Sequence, residues 1–332
     1  MSSRTQQHDP PELVRVLAPA RLHMGFLDLH GGLGRRFGSI GLTLESIATS
    51  ILAYRSTVNR VSGVAATARA GKVLDKVLEQ LGRPGGVEIR VDAAIPEHVG
   101  LGSGTQLALA IGMAASQLYG VDWKPAALAH RLDRGARSGI GVGAFAEGGF
   151  ILDGGRGEQD APPPVLATFD FPEHWRVLLI MDQRQRGLHG GEELDAFRAL
   201  PRFPAETAAH LCRVTLMQLL PALREADLTT FAEAVWELQC RVGDHFAPAQ
   251  GGRFTSSPVA NLLEEAAARK LPAGQSSWGP TGFVVFPDEQ SALGQRDTWA
   301  AENDRMDFLV CRARNNGGEL HAEQLPREAA RP

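Results

Sequence analysis

The 332-residue chain has little cysteine, few aromatic residues, no basic excess and no long apolar run. Its three cysteines, Cys212, Cys240 and Cys311, make neither a CxxC pair nor a disulfide framework, and three is odd. They read as buried or idle thiols in a reducing compartment. The net charge of −4 argues against nucleic acid as the main partner, because phosphate-backbone affinity needs clustered Lys and Arg. No uninterrupted apolar stretch approaches ~20 residues, so no membrane span is expected. The first twelve residues are polar, include His8-Asp9-Pro10-Pro11, and lack the apolar stretch of a signal peptide. These absences lead us to expect a soluble, cytoplasmic protein. A homodimer is common among such proteins, and the sequence leaves it open.

What is present suffices for one large or two ordinary cores, since 43% of residues are hydrophobic. Arg greatly outnumbers Lys, and the planar guanidinium suits carboxylate and phosphate. Val14 to Leu17 begins a strand that Pro19 should break, and Thr43 to Tyr54 is rich in β-branched residues and reads as another. Val73, Leu74, Val77, Leu78 and Leu81 recur at helical spacing, with Gly82 as a stop. Val87, Ile89 and Val91 alternate with polar residues, which marks a half-buried strand. A helix follows from Thr105 to Tyr119. Glycines from Gly139 to Gly157, then Pro162-Pro163-Pro164, suggest a hinge or domain edge. Trp175 to Met181 is a continuous apolar run, hence a buried strand. Helices are expected over 207–225, 228–242 and 257–270, the last with Ser257 as N-cap and Pro258 at the first helical position. Strands return at 281–286 and 307–312. Helices grouped late among mixed strands predict an α+β protein with lobes at 13–165 and 166–318, and loose tails at 1–12 and 319–332.

The most informative segment is Pro96 to Thr105. Gly100, Gly102 and Gly104 let the backbone reach positive φ and approach a ligand closely. The helix behind them presents unpaired N–H groups and the positive end of its dipole. Ser103 and Thr105 add hydroxyls, so the loop reads as an anion site. A ligand-free glycine turn is the plainer alternative. The GxGxG spacing is not the dinucleotide fingerprint.

Pro96-x-x-x-Gly100-Leu-Gly-Ser-Gly-Thr105 resembles the phosphate loop of the GHMP kinases, and Pro19-Ala-Arg-Leu-His-Met-Gly25 resembles their first motif. That resemblance implies a GHMP-kinase fold, with an N-terminal lobe like domain 2 of ribosomal protein S5 and a ferredoxin-like C-terminal lobe. GHMP kinases that use an aspartate base carry it after a Ser-Gly pair. Here Arg137-Ser138-Gly139-Ile140-Gly141-Val142-Gly143 holds no acid, and Glu147 comes later. The wider pattern is similar to the β-ribofuranosylaminobenzene 5′-phosphate synthases. It comprises Arg21-Leu-His23-x-Gly-Phe-x-Asp28, Arg36-Phe-Gly-Ser-Ile-Gly41, Gly135-x-Arg137-Ser-Gly-Ile-Gly141 and Gly148-Gly-Phe-Ile-x-Asp153-Gly-Gly155. Gly187-Leu-x-Gly190-x-Glu192-Glu193 and Gly274-Gln-Ser-Ser-Trp-Gly-Pro-Thr281 complete it. That family condenses phosphoribosyl pyrophosphate with 4-aminobenzoate, releasing pyrophosphate and CO2, on the way to tetrahydromethanopterin.

The resemblance implies catalytic roles for Arg21, His23, Asp28 and Arg137, with His23 a proton donor or acceptor and Asp28 orienting it or holding metal. Each has a structural alternative: a satisfied core histidine, a turn aspartate. The substrates' anions fall to Gly100, Gly102, Ser103, Gly104 and Thr105, completed by Ser276 and Ser277 with Gln275, and by Ser138. Trp278 either stacks on the aryl ring or is buried core. Arg184, at a strand end, either binds substrate or is solvated. Mg²⁺ is expected with the polyphosphate, with Asp28 and Glu192 as its candidates, and no organic cofactor is required, because the substrate's own ring takes up the electrons. Two other readings stay open: an ATP-dependent kinase on the same fold, and a non-catalytic metabolite-binding protein.

Overall fold

The computed structural model describes residues 11–64, 67–83, 85–159, 161–184 and 200–324. In chain order the strands are β1 (Leu13–Asp28), β2 (Phe37–Arg55), β3 (Arg60–Gly63), β4 (Val87–Ala93), β5 (Phe150–Asp153), β6 (Val165–Phe169), β7 (Arg176–Asp182), β8 (Ala273–Gln275), β9 (Thr281–Phe286), β10 (Met306–Cys311) and β11 (Glu319–Glu323). The helices are α1 (Thr67–Gln80), α2 (Ser103–Leu118), α3 (Pro125–Arg131), α4 (Ile140–Ala146), α5 (Ala205–Val214), α6 (Leu220–Glu225), α7 (Leu228–Gln250), α8 (Ser257–Ala268) and α9 (Glu289–Glu302). A single π turn, Thr215–Leu219, joins α5 to α6.

One sheet runs β11-β1-β2-β4-β3, with β5 added to β2 and β6 to β5. The second runs β10-β7-β9-β8, antiparallel throughout. Val73, Leu74, Val77 and Leu78 of α1 and the largely buried α2 cover the inner residues of β1, β2 and β4. On β7 the side chains alternate faces as a strand must. Leu178 and Ile180 pack with Val259 and Leu263 of α8. Val177 and Leu179 face the other way, toward Leu22 and Met24 of β1 and Leu238 of α7. Burial on both faces explains why this strand reads as one continuous apolar run.

The mixed α+β class is as expected, with four local corrections. Pro19 does not break β1: the strand runs through it, and its missing N–H coincides with a register shift against β2. The glycine-rich stretch is ordered structure rather than a hinge over 140–153, where it forms α4 and β5, and β5 pairs β2 and β6. The N-cap of α8 is Ser256 rather than Ser257, its hydroxyl accepting from the Val259 N–H at 3.3 Å. Residues 319–323 are no loose tail, since β11 pairs β1 from Leu13↔Glu323 to Leu17↔Glu319.

Candidate active site

Four segments enclose a cavity of about 300 Å³: β1, the glycine loop before α2, the 133–138 turn before α4, and the 277–279 turn before β9. On β1 the site begins as a defect in the ladder. The β1–β2 register shifts between Pro19 and Arg21 and again between His23 and Gly25. These irregularities release backbone donors to new partners. The Arg21 N–H donates to the Leu101 carbonyl at 3.1 Å, and the His23 N–H to Ser276 Oγ at 3.0 Å. Such bulges re-aim side chains, and Arg21 and His23 both reach the cavity.

The glycine loop is fastened from two sides. Its Gly100 carbonyl accepts from Arg21 Nη1 at 2.5 Å and from Ser276 Oγ at 2.8 Å. The Ser277 N–H in turn donates to the His23 carbonyl at 3.0 Å. Gly100 has φ +84°, and a Cβ there would collide with the Ser276 carbonyl. Helix α2 then starts without a side-chain cap: its N-cap is Gly102, and the first amides lie at the positive end of the dipole. Arg21 occupies the space a Cβ of Gly102 would need, and Arg69 that of Gly104. Two guanidinium groups therefore flank the helix start.

His23 is buried, and neither of its ring nitrogens has a hydrogen-bond partner. Burial, with the charges of Arg21 and Arg137, lowers its pKa from 6.5 to about 3. The imidazole is neutral at any physiological pH and keeps one donor and one acceptor unspent. Phe26 packs on it with ring centroids 4.5 Å apart, and Trp278 packs on Phe246 at the same distance. Across the cavity, buried Asp153 holds the 138–139 turn. It accepts from Ser138 Oγ at 3.1 Å, from the N–H groups of Gly139 and Gly155 at 2.8 and 2.9 Å, and from the Ser39 hydroxyl. Burial pushes its pKa up, against those hydrogen bonds.

Of the residues the sequence nominated, Arg21, His23, Gly100, Thr105, Arg137, Ser138, Ser277 and Trp278 line this cavity. Gly102, Ser103 and Gly104 build the adjoining helix start, and Ser276 fastens the loops behind the wall. Gln275 stands further back, donating to the Ser277 carbonyl at 2.9 Å and accepting from the Thr255 N–H at 2.7 Å. Asp28 is a turn aspartate: its Oδ1 accepts from the His30 and Gly31 N–H groups, both at 2.8 Å. It lies five residues along the strand from His23, ~16 Å at 3.3 Å per residue, so it cannot orient that ring. Arg184 pairs with Asp182 at 2.8 Å, and Asp182 also accepts from Ser256 Oγ at 2.7 Å. That cluster ties β7 to α8, away from the cavity. Glu192, with the rest of the 187–193 motif, lies outside the described residues.

Sequence reasoning passed over His98, Asp133 and Arg134 in the wall, and Asp153 behind it. Arg134 directly precedes the Gly135 motif, and Asp153 sits inside one, so both carried a signal; Phe246, in mid-helix, carried none. Among the described residues no group of three His, Cys, Asp or Glu side chains could hold a metal ion. Asp28 spends one carboxylate oxygen, Oδ1, on its turn. No helix among them is long and apolar enough to cross a membrane.

Residues 68–149 match the GHMP kinases N-terminal domain. The whole chain superposes on a homoserine kinase from Cytophaga hutchinsonii with a TM-score of 0.66 at 18% identity, covering 97% of this chain and 100% of that one. A phosphomevalonate kinase from Streptococcus pneumoniae gives 0.67 at 14% identity over 91% and 100%. An α+β chain of two sheets with a glycine-rich loop leading into α2 beside an arginine-lined cleft is thus a protein of the GHMP-kinase fold. Its sequence is nearer to another group. It is 32% identical to a beta-ribofuranosylphenol 5′-phosphate synthase from Archaeoglobus fulgidus, over 93% of this chain and 99% of that one. It is 30% identical to its namesake from Methanocaldococcus jannaschii, over 92% and 99%. The chain belongs to the beta-ribofuranosylphenol 5′-phosphate synthase family.

Proposed function

We propose that the protein is a decarboxylating phosphoribosyltransferase that joins phosphoribosyl pyrophosphate to 4-aminobenzoate, in the cytoplasm and on the route to tetrahydromethanopterin. The observation that carries this reading is an uncharged, unpartnered His23 set among Arg21, Arg137 and the start of α2. Such a cavity suits a polyanion with an uncharged reacting centre. The bond from the anomeric carbon to the diphosphate breaks, and its electron pair leaves with the diphosphate. The ring carbon that bears the carboxylate bonds to the anomeric carbon, pushed by the para substituent. The carbon–carboxylate bond then breaks, its pair restores the aromatic ring, and CO2 departs. No net proton is consumed.

The chain's residues position, neutralise and exclude water. Arg21 and Arg137 offset the donor's charge, and the α2 amides bind phosphate oxygens. His23 gives a neutral hydrogen bond inside the cavity, and Phe26 and Trp278 wall the aryl ring. Mg²⁺ arriving with the donor would neutralise further phosphate charge.

The relatives' name specifies a phenol, which favours 4-hydroxybenzoate as a second acceptor to test. A kinase reading finds less support: Gly141, Val142 and Gly143 are buried in α4 with no acid among them, and Glu147 bonds Thr168 Oγ1 at 3.1 Å. The deciding assay incubates the protein with Mg²⁺, the donor and carboxyl-labelled 4-aminobenzoate or 4-hydroxybenzoate. Labelled CO2 and pyrophosphate are expected in equal amounts. No release from either acid, with ATP turnover on a hydroxyl substrate, would replace this reading by the kinase.

A further inference from the structure

The central cavity shares wall residues with two further recesses of different character. Toward the second lobe it shares His23, Phe26, Ser277 and Trp278 with a recess walled by Phe246 and Phe254. Toward α1 it shares Asp133 and Arg134 with a groove of about 350 Å³, into which Arg69, Lys72 and Lys76 project. The first recess carries Phe26, Phe246, Phe254 and Trp278 beside an Arg253 that pairs with Asp244, and the second carries the cations.

The groove's charge is only partly answered. Lys76 pairs with Asp133, and Arg69 with Glu97 at 3.1 Å. Lys72 has no acidic partner among the described residues. The Arg134 Nε is buried with no hydrogen-bond partner. Burial and the neighbouring Arg69 both lower the Arg134 pKa, which marks like charges held close together. Arg69 also fills the space beside Gly104, so the groove adjoins the first turn of α2. Four cations converge there on two carboxylates.

We propose that the site has a fixed polarity, with the donor's diphosphate leaving into the groove of Arg69, Lys72, Lys76 and Arg134 while the aryl acid binds at the Phe26–Trp278 end. This rests on the proposed function. The chemistry requires the arrangement, because the attacking carbon and the departing diphosphate must occupy different sides of one anomeric carbon. The three adjoining spaces supply an aromatic side, a middle and a polyanion side in that order.

The test uses the full chain and calorimetric titration with inorganic pyrophosphate, orthophosphate and 4-aminobenzoate. Lys72 is exposed on α1, so Lys72→Ala should fold; circular dichroism checks this. The variant is expected to bind pyrophosphate at least fivefold more weakly than the wild type, and the other two ligands within twofold. Unchanged pyrophosphate affinity would overturn the assignment, as would a wild type that binds no pyrophosphate. Loss of 4-aminobenzoate binding in the variant would reverse the polarity and overturn it too. A wild type that releases no CO2, yet binds pyrophosphate in a Lys72-dependent way, would remove the proposed reaction and leave the anion subsite standing.

Discussion

At the scale of single residues, His23 links the site to the stability of the molecule. In the unfolded chain an imidazole takes up its proton near pH 6.5; in the folded protein His23 declines it down to about pH 3. Between those values the unfolded state binds more protons, so stability rises with pH across this window and its full contribution is present above about pH 6.5. The slope from one such group approaches ~1.4 kcal/mol per pH unit. His23→Gln should therefore lose less stability than the wild type between pH 6.5 and pH 4, read from urea midpoints. Parallel curves for the two proteins would contradict this. In the proposed reaction Arg137 acts on substrate rather than on folding, so Arg137→Ala should cut turnover at least tenfold and leave the melting temperature in place. Wild-type rates would remove it from the site. Arg21, His23, Arg137 and Ser138 were legible in the sequence because each stands in a short motif beside glycine. Arg134 and Asp153, although beside or inside a motif, were given no role, because their value comes from neighbours far along the chain: Arg69 for one, Ser39 for the other.

Secondary-structure elements set the spacing of those groups. The loop before α2 and the turn before β9 interlock through Gly100, Ser276 and Gly279, with carbonyls where side chains would stand. Gly100→Ala must hold a Cβ at φ +84°, a left-handed strain of roughly 1–2 kcal/mol, and must also displace the Ser276 carbonyl. The expected result is a lower melting temperature together with at least a fivefold rise in KM for the donor. A variant with both values unchanged would show the interlock to be dispensable. Elements with a strong local pattern were readable in advance. Helix α2 follows from its apolar content and glycine start, and β9 matches the expected 281–286 span. The passage of β1 through Pro19 was not readable, since a proline at a register shift loses no ladder bond, and only the partner strand shows where the shift falls. The glycines of α4 and of the turns flanking β5 read as flexible for a related reason. Their lack of side chains answers close approach by Ile151, Val165 and Phe169, which are contacts of tertiary structure.

Across the whole molecule, one apolar cluster runs from β1 through α7 to β7 and β9. Leu238 of α7 fills the space left by Gly25 on β1 and is fully buried. The two sheets should therefore unfold together. Leu238→Ala is expected to lower stability by about 2–5 kcal/mol, with tryptophan fluorescence and far-ultraviolet circular dichroism moving through one shared transition. Separate transitions would mean that each sheet holds its own stability.

The pairing of β11 with β1 bears on how this molecule is made. Without β11, β1 is the outermost strand of its sheet, with a row of backbone groups available to any extended peptide. During synthesis that row emerges from the ribosome long before its native cover, Glu319–Glu323, has been translated. A polypeptide truncated after Gly318 should accumulate in the insoluble fraction during expression, whereas the longer product partitions into the supernatant.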